Sequence, residues 1–240
     1  MSLSPHHPEY AALILSGGRG SRMGGMDKGL VAWGGKPLVQ AVLNRLQSQT
    51  VLPQSLWISA NRNLQTYSHL VDHNCKVITD ERPDFTGPLA GIESALLQIK
   101  EPLLLVVPCD TPLLPTNLFE FLYQAMREDS SLNAAYAWTS GDPSKMTEVS
   151  TQTDSKTRVN RPGADQSSMN NSFNKGQPHP LCCLLRKSLK TDLTACLDQG
   201  QQRVMGWMQR IHAKAVTFDD STAFANVNDP QTLAALRSAP

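Results

Sequence analysis

Short apolar runs alternate with stretches of helical periodicity along most of this chain. Five consecutive apolar residues, as at 103–107, are typical of a strand buried on both faces. Apolar residues that recur every three or four positions predict helices instead. The predicted strands are 11–15, 56–60, 76–78, 103–107, 134–138, 181–185 and 213–218. The predicted helices are 37–49, 63–70, 89–99, 116–127, 187–197 and 203–211, with a further helix that starts at 229–230.

This alternation of strands and helices indicates an α/β fold. A mostly parallel sheet covered by helices on both faces accounts for the order of the elements. The predicted fold class is therefore a three-layer α/β/α, Rossmann-like protein. In sheets of this kind, ligands bind beyond the carboxyl ends of the strands. Chemistry is accordingly expected in the segments that directly follow strands.

Two polar stretches interrupt the pattern. Positions 1–10 are polar and read as a disordered leader. Only six of the forty positions from 139 to 178 are apolar, too few to offset the entropy of ordering such a segment. We interpret 139–178 as a mobile insertion within a single domain that spans 11–240; a substrate lid or a partner-binding loop is the alternative.

Composition excludes several function classes. The net charge of +1 gives no global reason to expect nucleic acid or an acidic membrane as partner. No apolar run approaches the length needed to cross a bilayer. The five cysteines are odd in number and form no Cys-x-x-Cys pair, so neither a disulfide framework nor a zinc site is indicated. This cysteine usage favours a reducing cytoplasm.

A glycine-rich segment directly follows the first predicted strand. Five of the ten positions from 16 to 25 are glycine, and Arg19, Arg22 and Lys28 add positive charge. Glycine backbones can turn successive amides toward one point, and such amides bind an anion. The segment matches neither the Walker A pattern nor the dinucleotide fingerprint. It nonetheless predicts a polyphosphate site, and hence nucleotide chemistry.

Polar residues follow other predicted strands. Asp110 comes after the buried run 103–107, where a carboxylate next to a triphosphate would hold Mg²⁺. Asp80 follows the strand 76–78 and is either a contact to a base or ribose or a turn residue. Asn226 and Asn228 precede the last predicted helix, a position where asparagine commonly serves turn chemistry.

Together these segments resemble the molybdenum cofactor guanylyltransferase family, which lies within the nucleotidyltransferase superfamily. The resemblance extends over nearly the whole chain apart from the leader and the insertion. It rests on the segments 15–18, 22–30, 35–38, 60–62, 87–91, 108–112, 203–205 and 226–228. It implies a sheet of the nucleotide-diphospho-sugar transferase type. It also implies transfer of GMP from GTP to the terminal phosphate of Mo-molybdopterin, with release of pyrophosphate.

The resemblance assigns roles to individual residues. It implies that the GTP site is lined by Leu15, Ser16, Gly17 and Gly18. It further implies that Lys28 contacts the phosphates, Asp80 contacts the nucleotide and Asp110 holds Mg²⁺. Lys28 and Arg22 would stabilise charge on the departing pyrophosphate, and Asn226 and Asn228 would lie near the metal or the pterin.

Two residues and one segment depart from the family pattern. Ser16 stands where the family usually has alanine, and Ser59 stands where a family asparagine touches the nucleotide. The insertion 139–178 is absent from compact members. The resemblance also implies transient contacts with molybdopterin-delivering proteins and molybdoenzyme chaperones.

Three other functions remain open at the level of sequence. A cytidylyltransferase for the same cofactor tends to have alanine at position 17, and the Gly17-Gly18 pair leaves more room for a purine, which favours GTP. A sugar-1-phosphate nucleotidyltransferase shares the glycine-rich opening. A non-catalytic adaptor that binds nucleotide or molybdopterin would need to have lost Asp110 or Lys28, and both are present.

Overall fold

A central seven-stranded sheet carries helices on both faces in the computed structural model, which describes residues 8–16, 27–71, 74–82, 87–140 and 176–227. The strands are β1 (Tyr10–Leu15), β2 (Ala32–Trp33), β3 (Lys36–Pro37), β4 (Ser55–Ser59), β5 (Cys75–Ile78), β6 (Leu103–Pro108), β7 (Ala134–Thr139), β8 (Gln177–Arg186) and β9 (Lys214–Phe218). The helices are α1 (Leu38–Gln47), α2 (Leu64–Leu70), α3 (Pro88–Gln98), α4 (Leu118–Glu128), α5 (Lys190–Asp198) and α6 (Val204–Arg210). The predicted elements up to β9 are thereby confirmed to within a few residues, while the helix predicted from 229 lies outside the described residues.

The order of strands in the sheet is β5-β4-β1-β6-β8-β7-β9. All neighbouring strands pair in parallel except at β8, which is antiparallel to both β6 and β7. The mostly parallel sheet predicted from the alternation is confirmed. The chain moves outward from β1 to β4 and β5 and then returns to the other side of β1 with β6. The carboxyl ends of β1 and β6 therefore border the crevice where ligands bind in such sheets.

Alternate residues of β1 face two separate apolar cores. Tyr10 and Ile14 pack with α1 and α4, whereas Leu13 and Leu15 pack with α3 on the opposite face. A strand with both faces covered must be apolar throughout, and all six residues of β1 are buried. Helices on both faces of the sheet make the three layers.

Two boundaries predicted from polarity differ in the structure. The leader was predicted to reach position 10, but Tyr10 is the first residue of β1, is fully buried and donates from its hydroxyl to the Val51 carbonyl at 2.6 Å. The insertion was predicted to cover 139–178, but β7 includes Thr139, and β8 begins at Gln177 and contains Pro178. Backbone pairing between the two strands extends them into polar sequence. Residues 1–7 and 141–175 lie outside the described residues.

The pairing of β7 with β8 explains why the start of β8 was missed. Its first residues include Pro178 and Pro180, which cannot donate a backbone hydrogen bond and argue against a central strand. The register shifts between Tyr136 and Ala137, so that proline is accommodated at an irregularity in the ladder.

A small antiparallel hairpin of β2 and β3 was not predicted. Gly34 and Gly35 connect its strands with φ angles of 58° and 80°, a region that glycine adopts without steric cost. A Gly-Gly pair between short strands is the sequence signal for such a turn. Within the described residues, no helix is both long and apolar enough to cross a membrane.

Candidate active site

The candidate site lies at the carboxyl ends of four neighbouring strands. The Ser16 amide after β1 donates to the Ser59 carbonyl of β4 at 2.8 Å. On the other side of β1, the Cys109 amide after β6 donates to the Leu15 carbonyl at 3.0 Å. Segments that follow β5, β4, β1 and β6 therefore form one continuous edge, about 14 Å wide at three interstrand spacings.

Lys28 and Asp110 meet at this edge. The Lys28 ammonium lies 2.5 Å from Asp110 Oδ2, and the two side chains are 27% and 16% exposed. Asp110 lies just beyond the end of β6, after Cys109, whereas Lys28 lies in a single 3-10 turn, Lys28–Leu30. The structure thus places the predicted phosphate-binding lysine against the predicted metal-binding carboxylate. Because each charge compensates the other, both remain stable in a partly buried position.

Asp27 holds the turn that carries Lys28. Its Oδ1 accepts the backbone N–H of Gly29 at 3.2 Å, which caps the turn. Its Oδ2 accepts from Asn63 Nδ2 at 3.0 Å. A Cβ atom at position 29 would collide with the Ser16 hydroxyl and would lie 2.5 Å from the Tyr67 hydroxyl. Only glycine at 29 therefore lets the turn pack this closely on its neighbours.

Tyr67 of α2 is a component of the site that sequence reasoning missed. The side chain is fully buried, and its hydroxyl lies 2.6 Å from Asp27 Oδ1 and 2.5 Å from Ser16 Oγ. Burial, followed by the bond to Asp27, raises the pKa of Tyr67 well above its ordinary value, so the phenol keeps its proton. The predicted helix 63–70 contained Tyr67, but nothing in its pattern distinguished this tyrosine from an ordinary core residue.

Asp80 is held by the last residue of β4 and by a residue of the loop that follows it. Its Oδ1 accepts from Ser59 Oγ at 3.2 Å, and its Oδ2 accepts from Asn61 Nδ2 at 2.7 Å. The Asp80 amide in turn donates to Asn61 Oδ1 at 2.9 Å. Ser59, one of the departures from the family pattern, is thus used to orient Asp80. Gly91 of α3 lies so close that a Cβ there would come within 2.5 Å of Ser59 Oγ.

The segment after Asp80 is anchored to helices on one face of the sheet. The Glu81 amide donates to Ser94 Oγ at 3.1 Å. Arg82 forms a bidentate pair with the buried Glu93 of α3, at 2.6 and 2.8 Å, and also pairs with Asp198 of α5 at 2.8 Å. Hydrogen bonding from Arg82 lowers the pKa of Glu93 although burial opposes that change.

Asn226 lies beside Asp110, at the same end of the sheet. The Val227 amide donates to the Asp110 carbonyl at 2.8 Å, which holds this distant segment at the site. The Thr111 hydroxyl makes long contacts with Asp110 Oδ1, at 3.4 Å, and with Asn226 Oδ1, at 3.5 Å. The structure therefore brings together Leu15, Ser16, Lys28, Asp80, Asp110 and Asn226. Gly17, Gly18, Arg22 and Asn228 lie outside the described residues.

Cys109 is the thiol closest to these groups. Burial raises its pKa to about 12, so it is a neutral thiol at physiological pH. All five cysteines are buried and free, as expected for small core residues. Among the described residues, no cluster of three or more His, Cys, Asp or Glu side chains could hold a metal ion by itself.

Known proteins match this chain almost end to end. A family model described as a MobA-like NTP transferase domain matches residues 12–214. A molybdenum cofactor guanylyltransferase from Polynucleobacter asymbioticus is 37% identical over 237 residues, which is 99% of each chain. A protein of the same name from Ralstonia nicotianae is 38% identical over 229 residues, 95% of each chain.

A solved structure confirms the type of fold. Molybdopterin-guanine dinucleotide biosynthesis protein A from Archaeoglobus fulgidus superimposes with a TM-score of 0.60, covering 94% of this chain and 95% of that chain. At 20% identity, this likeness concerns the fold alone. The predicted α/β sheet of the nucleotidyltransferase type is thereby confirmed.

Proposed function

Because this chain belongs to the molybdenum cofactor guanylyltransferase family, within the MobA-like NTP transferases, we propose that it transfers GMP from GTP to the terminal phosphate of Mo-molybdopterin. The products are the guanine dinucleotide form of the cofactor and pyrophosphate. The observation that carries the proposal is the contact between Lys28 and Asp110 at the crevice between β1 and β6. A cation for phosphates and an acid for a metal then lie side by side where ligands bind in such sheets.

Different residues at this edge of the sheet bind different parts of GTP. Asp80, oriented by Ser59 and Asn61, offers carboxylate oxygens to donors on the nucleoside. Three interstrand spacings away, Lys28 offers its ammonium to the phosphates. An extended nucleotide that lies along the edge would contact both groups. Ser16 and Leu15, on the strand between them, form the floor under that path.

The transfer step needs positioning and charge compensation more than a protein nucleophile. The phosphate of Mo-molybdopterin attacks the α-phosphorus of GTP in line, a P–O bond forms to the attacking oxygen, and the bond to pyrophosphate breaks. Lys28 offsets the charge that grows on the pyrophosphate, together with Arg22. The neutral, buried Cys109 is not required, since the attacking oxygen belongs to the substrate.

The donor set fits a magnesium ion shared with substrate. Magnesium in such enzymes takes one or two carboxylates and completes its shell with phosphates and water. Asp110 is partly exposed, and the contact of its Oδ1 with Thr111 is long, at 3.4 Å, so this oxygen can take a ligand. Bound Mg²⁺ supplies positive charge to the phosphate oxygens. When phosphates arrive, Lys28 exchanges its bond to Asp110 for a bond to phosphate.

A product assay tests this function. The purified chain is incubated with Mo-molybdopterin, Mg²⁺ and each nucleoside triphosphate separately, and the dinucleotide and pyrophosphate are quantified. We expect the guanine dinucleotide, with equal amounts of pyrophosphate, from GTP. Omission of Mg²⁺ should abolish both products.

Each other outcome identifies a different function. Product from CTP in preference to GTP would replace the proposal with a cytidylyltransferase. Pyrophosphate released only when a sugar-1-phosphate is supplied would indicate a sugar nucleotidyltransferase. GTP binding without release of pyrophosphate would indicate an adaptor.

A further inference from the structure

One buried hydroxyl connects the two residues that flank positions 17–26. Ser16 directly follows β1, Asp27 precedes the turn that carries Lys28, and both contact the hydroxyl of Tyr67. Tyr67 belongs to α2, so the connection passes through an element that holds none of the residues predicted for the site. All three side chains lie within the described part of the chain.

The direction of the hydrogen bonds follows from the donors available. A carboxylate can only accept, so Tyr67 donates its single proton to Asp27 Oδ1. Ser16 must therefore donate to the Tyr67 oxygen. The result is a directed chain from Ser16 through Tyr67 to Asp27, in which each hydroxyl proton has one assigned acceptor. Removing any one of the three groups would leave a buried polar atom without this partner.

We propose that the Tyr67 hydroxyl clamps Ser16 to Asp27 and so positions Lys28 for the triphosphate of GTP. Asp27 Oδ1 accepts from both Tyr67 and the Gly29 amide, which connects the clamp directly to the residue after Lys28. Gly29 packs against the same two hydroxyls, so the turn rests on the clamp itself. This inference rests on the proposed function, and it makes Tyr67 a positioning residue that touches no substrate.

Ser16 is the hydrogen-bond donor at the start of this chain of side chains. An alanine at that position would leave the Tyr67 oxygen without this donor. In this chain, the additional hydroxyl extends the clamp to the end of β1, whose next neighbour in the sheet carries Asp110. The positions of Lys28 and Asp110 are therefore both fixed relative to β1, Lys28 through the clamp and Asp110 through the pairing of β1 with β6.

Tyr67→Phe removes the hydroxyl and leaves the ring in the core. We expect the KM and the Kd for GTP to rise about tenfold, because Lys28 loses its fixed position, while kcat falls by no more than about threefold. GTP affinity is measured by isothermal titration calorimetry, and the kinetic constants by release of pyrophosphate. A role in stability alone would lower the melting temperature without changing KM.

Tyr10→Phe is the matched control. Tyr10 is also fully buried, and its hydroxyl donates to the Val51 carbonyl at 2.6 Å, away from the site. The same atom is removed, so a comparable loss of stability is expected with an unchanged KM for GTP. Equal effects of the two variants on KM, or no effect of Tyr67→Phe, would overturn the clamp.

Asn63→Gly tests whether a firmly held Asp27, the acceptor end of the clamp, positions Lys28, and it does so without disturbing the core. Asn63 is exposed, donates to Asp27 Oδ2 and has a φ of 54°, which glycine adopts readily. We expect a rise of about threefold in the Kd for GTP, and an unchanged Kd would count against the clamp. Because Kd is measured without turnover, this result stands even if the wild-type chain transfers no GMP, so failure of the clamp and failure of the proposed function are distinguishable.

Discussion

At the scale of single residues, the proposed function rests on the contact between Asp110 and Lys28. A carboxylate at the end of a buried strand needs a partner, and Lys28 supplies it at 2.5 Å. In the proposed function, Lys28 binds the triphosphate and Asp110 holds its metal. Their pairing compensates both charges at this partly buried edge.

Asp110→Asn and Lys28→Ala are each expected to lower kcat by about two to three orders of magnitude, the usual loss when one preorganised electrostatic partner is removed. Release of pyrophosphate at saturating GTP and Mo-molybdopterin measures the effect. Asp129→Asn is the control, because Asp129 is exposed and its carboxylate accepts from Ser131, next to the amino end of β7. Near-normal turnover in a folded Asp110→Asn or Lys28→Ala protein would reject the assigned role.

At the scale of elements, the ion pairs of Arg82 hold the segment after β5 on α3 and α5. Glu93 is almost fully buried, whereas Asp198 is 62% exposed. The bidentate bond to Glu93 is therefore the stronger restraint. It fixes the segment that begins with Asp80, so a structural ion pair on one face of the sheet supports a candidate nucleotide contact at its edge.

Glu93→Gln is expected to destabilise the protein by about 1–3 kcal/mol near pH 7, because Arg82 loses its buried charged acceptor and keeps the exposed Asp198 and the Thr194 carbonyl. The pKa of Glu93 is lowered in the folded state, so its stabilisation is fully present above the unfolded pKa of about 4.3 and is lost as the pH falls below that value. Chemical denaturation of wild type and variant from pH 7 to pH 3 measures the difference, which should shrink only below about pH 4.5.

Glu120→Gln provides the comparison for this series. Glu120 lies on α4, and its carboxylate accepts from Thr50 in an exposed bond. Its replacement should change stability by less than about 0.5 kcal/mol at any pH. A difference for Glu93→Gln that stays constant down to pH 3 would contradict the assigned ion pair.

At the scale of the whole molecule, the sheet order joins segments that are far apart in sequence. The edge formed by β5, β4, β1 and β6 collects Asp80, Ser16 and Asp110 from three separate parts of the chain. Two apolar cores hold this sheet from opposite faces. A ligand that contacts several of these strands at once is bound only by the folded state, and so must stabilise the fold.

GTP with Mg²⁺, at about one hundred times its Kd, is expected to add about 2.7 kcal/mol of stability and to raise the melting temperature by about 5–10 °C. Thermal unfolding with increasing GTP measures this shift. CTP at the same concentration should shift it less, and Lys28→Ala should reduce the shift. An unchanged melting temperature at saturating GTP would show that the nucleotide does not bind the folded chain.

Local patterns in the sequence determined the elements and the type of site. The apolar run 103–107 predicted a buried strand, because a strand covered on both faces is apolar throughout. Asp110 after it indicated a ligand-binding edge of the sheet. The period of the hydrophobic residues is set by residues that are close in the sequence, so it can be recognised without knowledge of the fold. The hairpin around Gly34 and Gly35 also has a local sequence signal, although it was not predicted.

The tertiary structure alone decided which of these groups act together. Lys28 meets Asp110 across 82 positions of sequence, and Tyr67 meets Ser16 across 51. Such contacts depend on the order of strands in the sheet and on the packing of α2. Neither of these produces a periodic pattern in the sequence. The sequence by itself therefore determined an α/β protein with a glycine-rich, basic segment and acidic residues after its strands. Folding decided that the buried Tyr67 phenol contacts both Ser16 and Asp27, because hydrogen bonds between distant residues exist only once the core has brought those residues into contact.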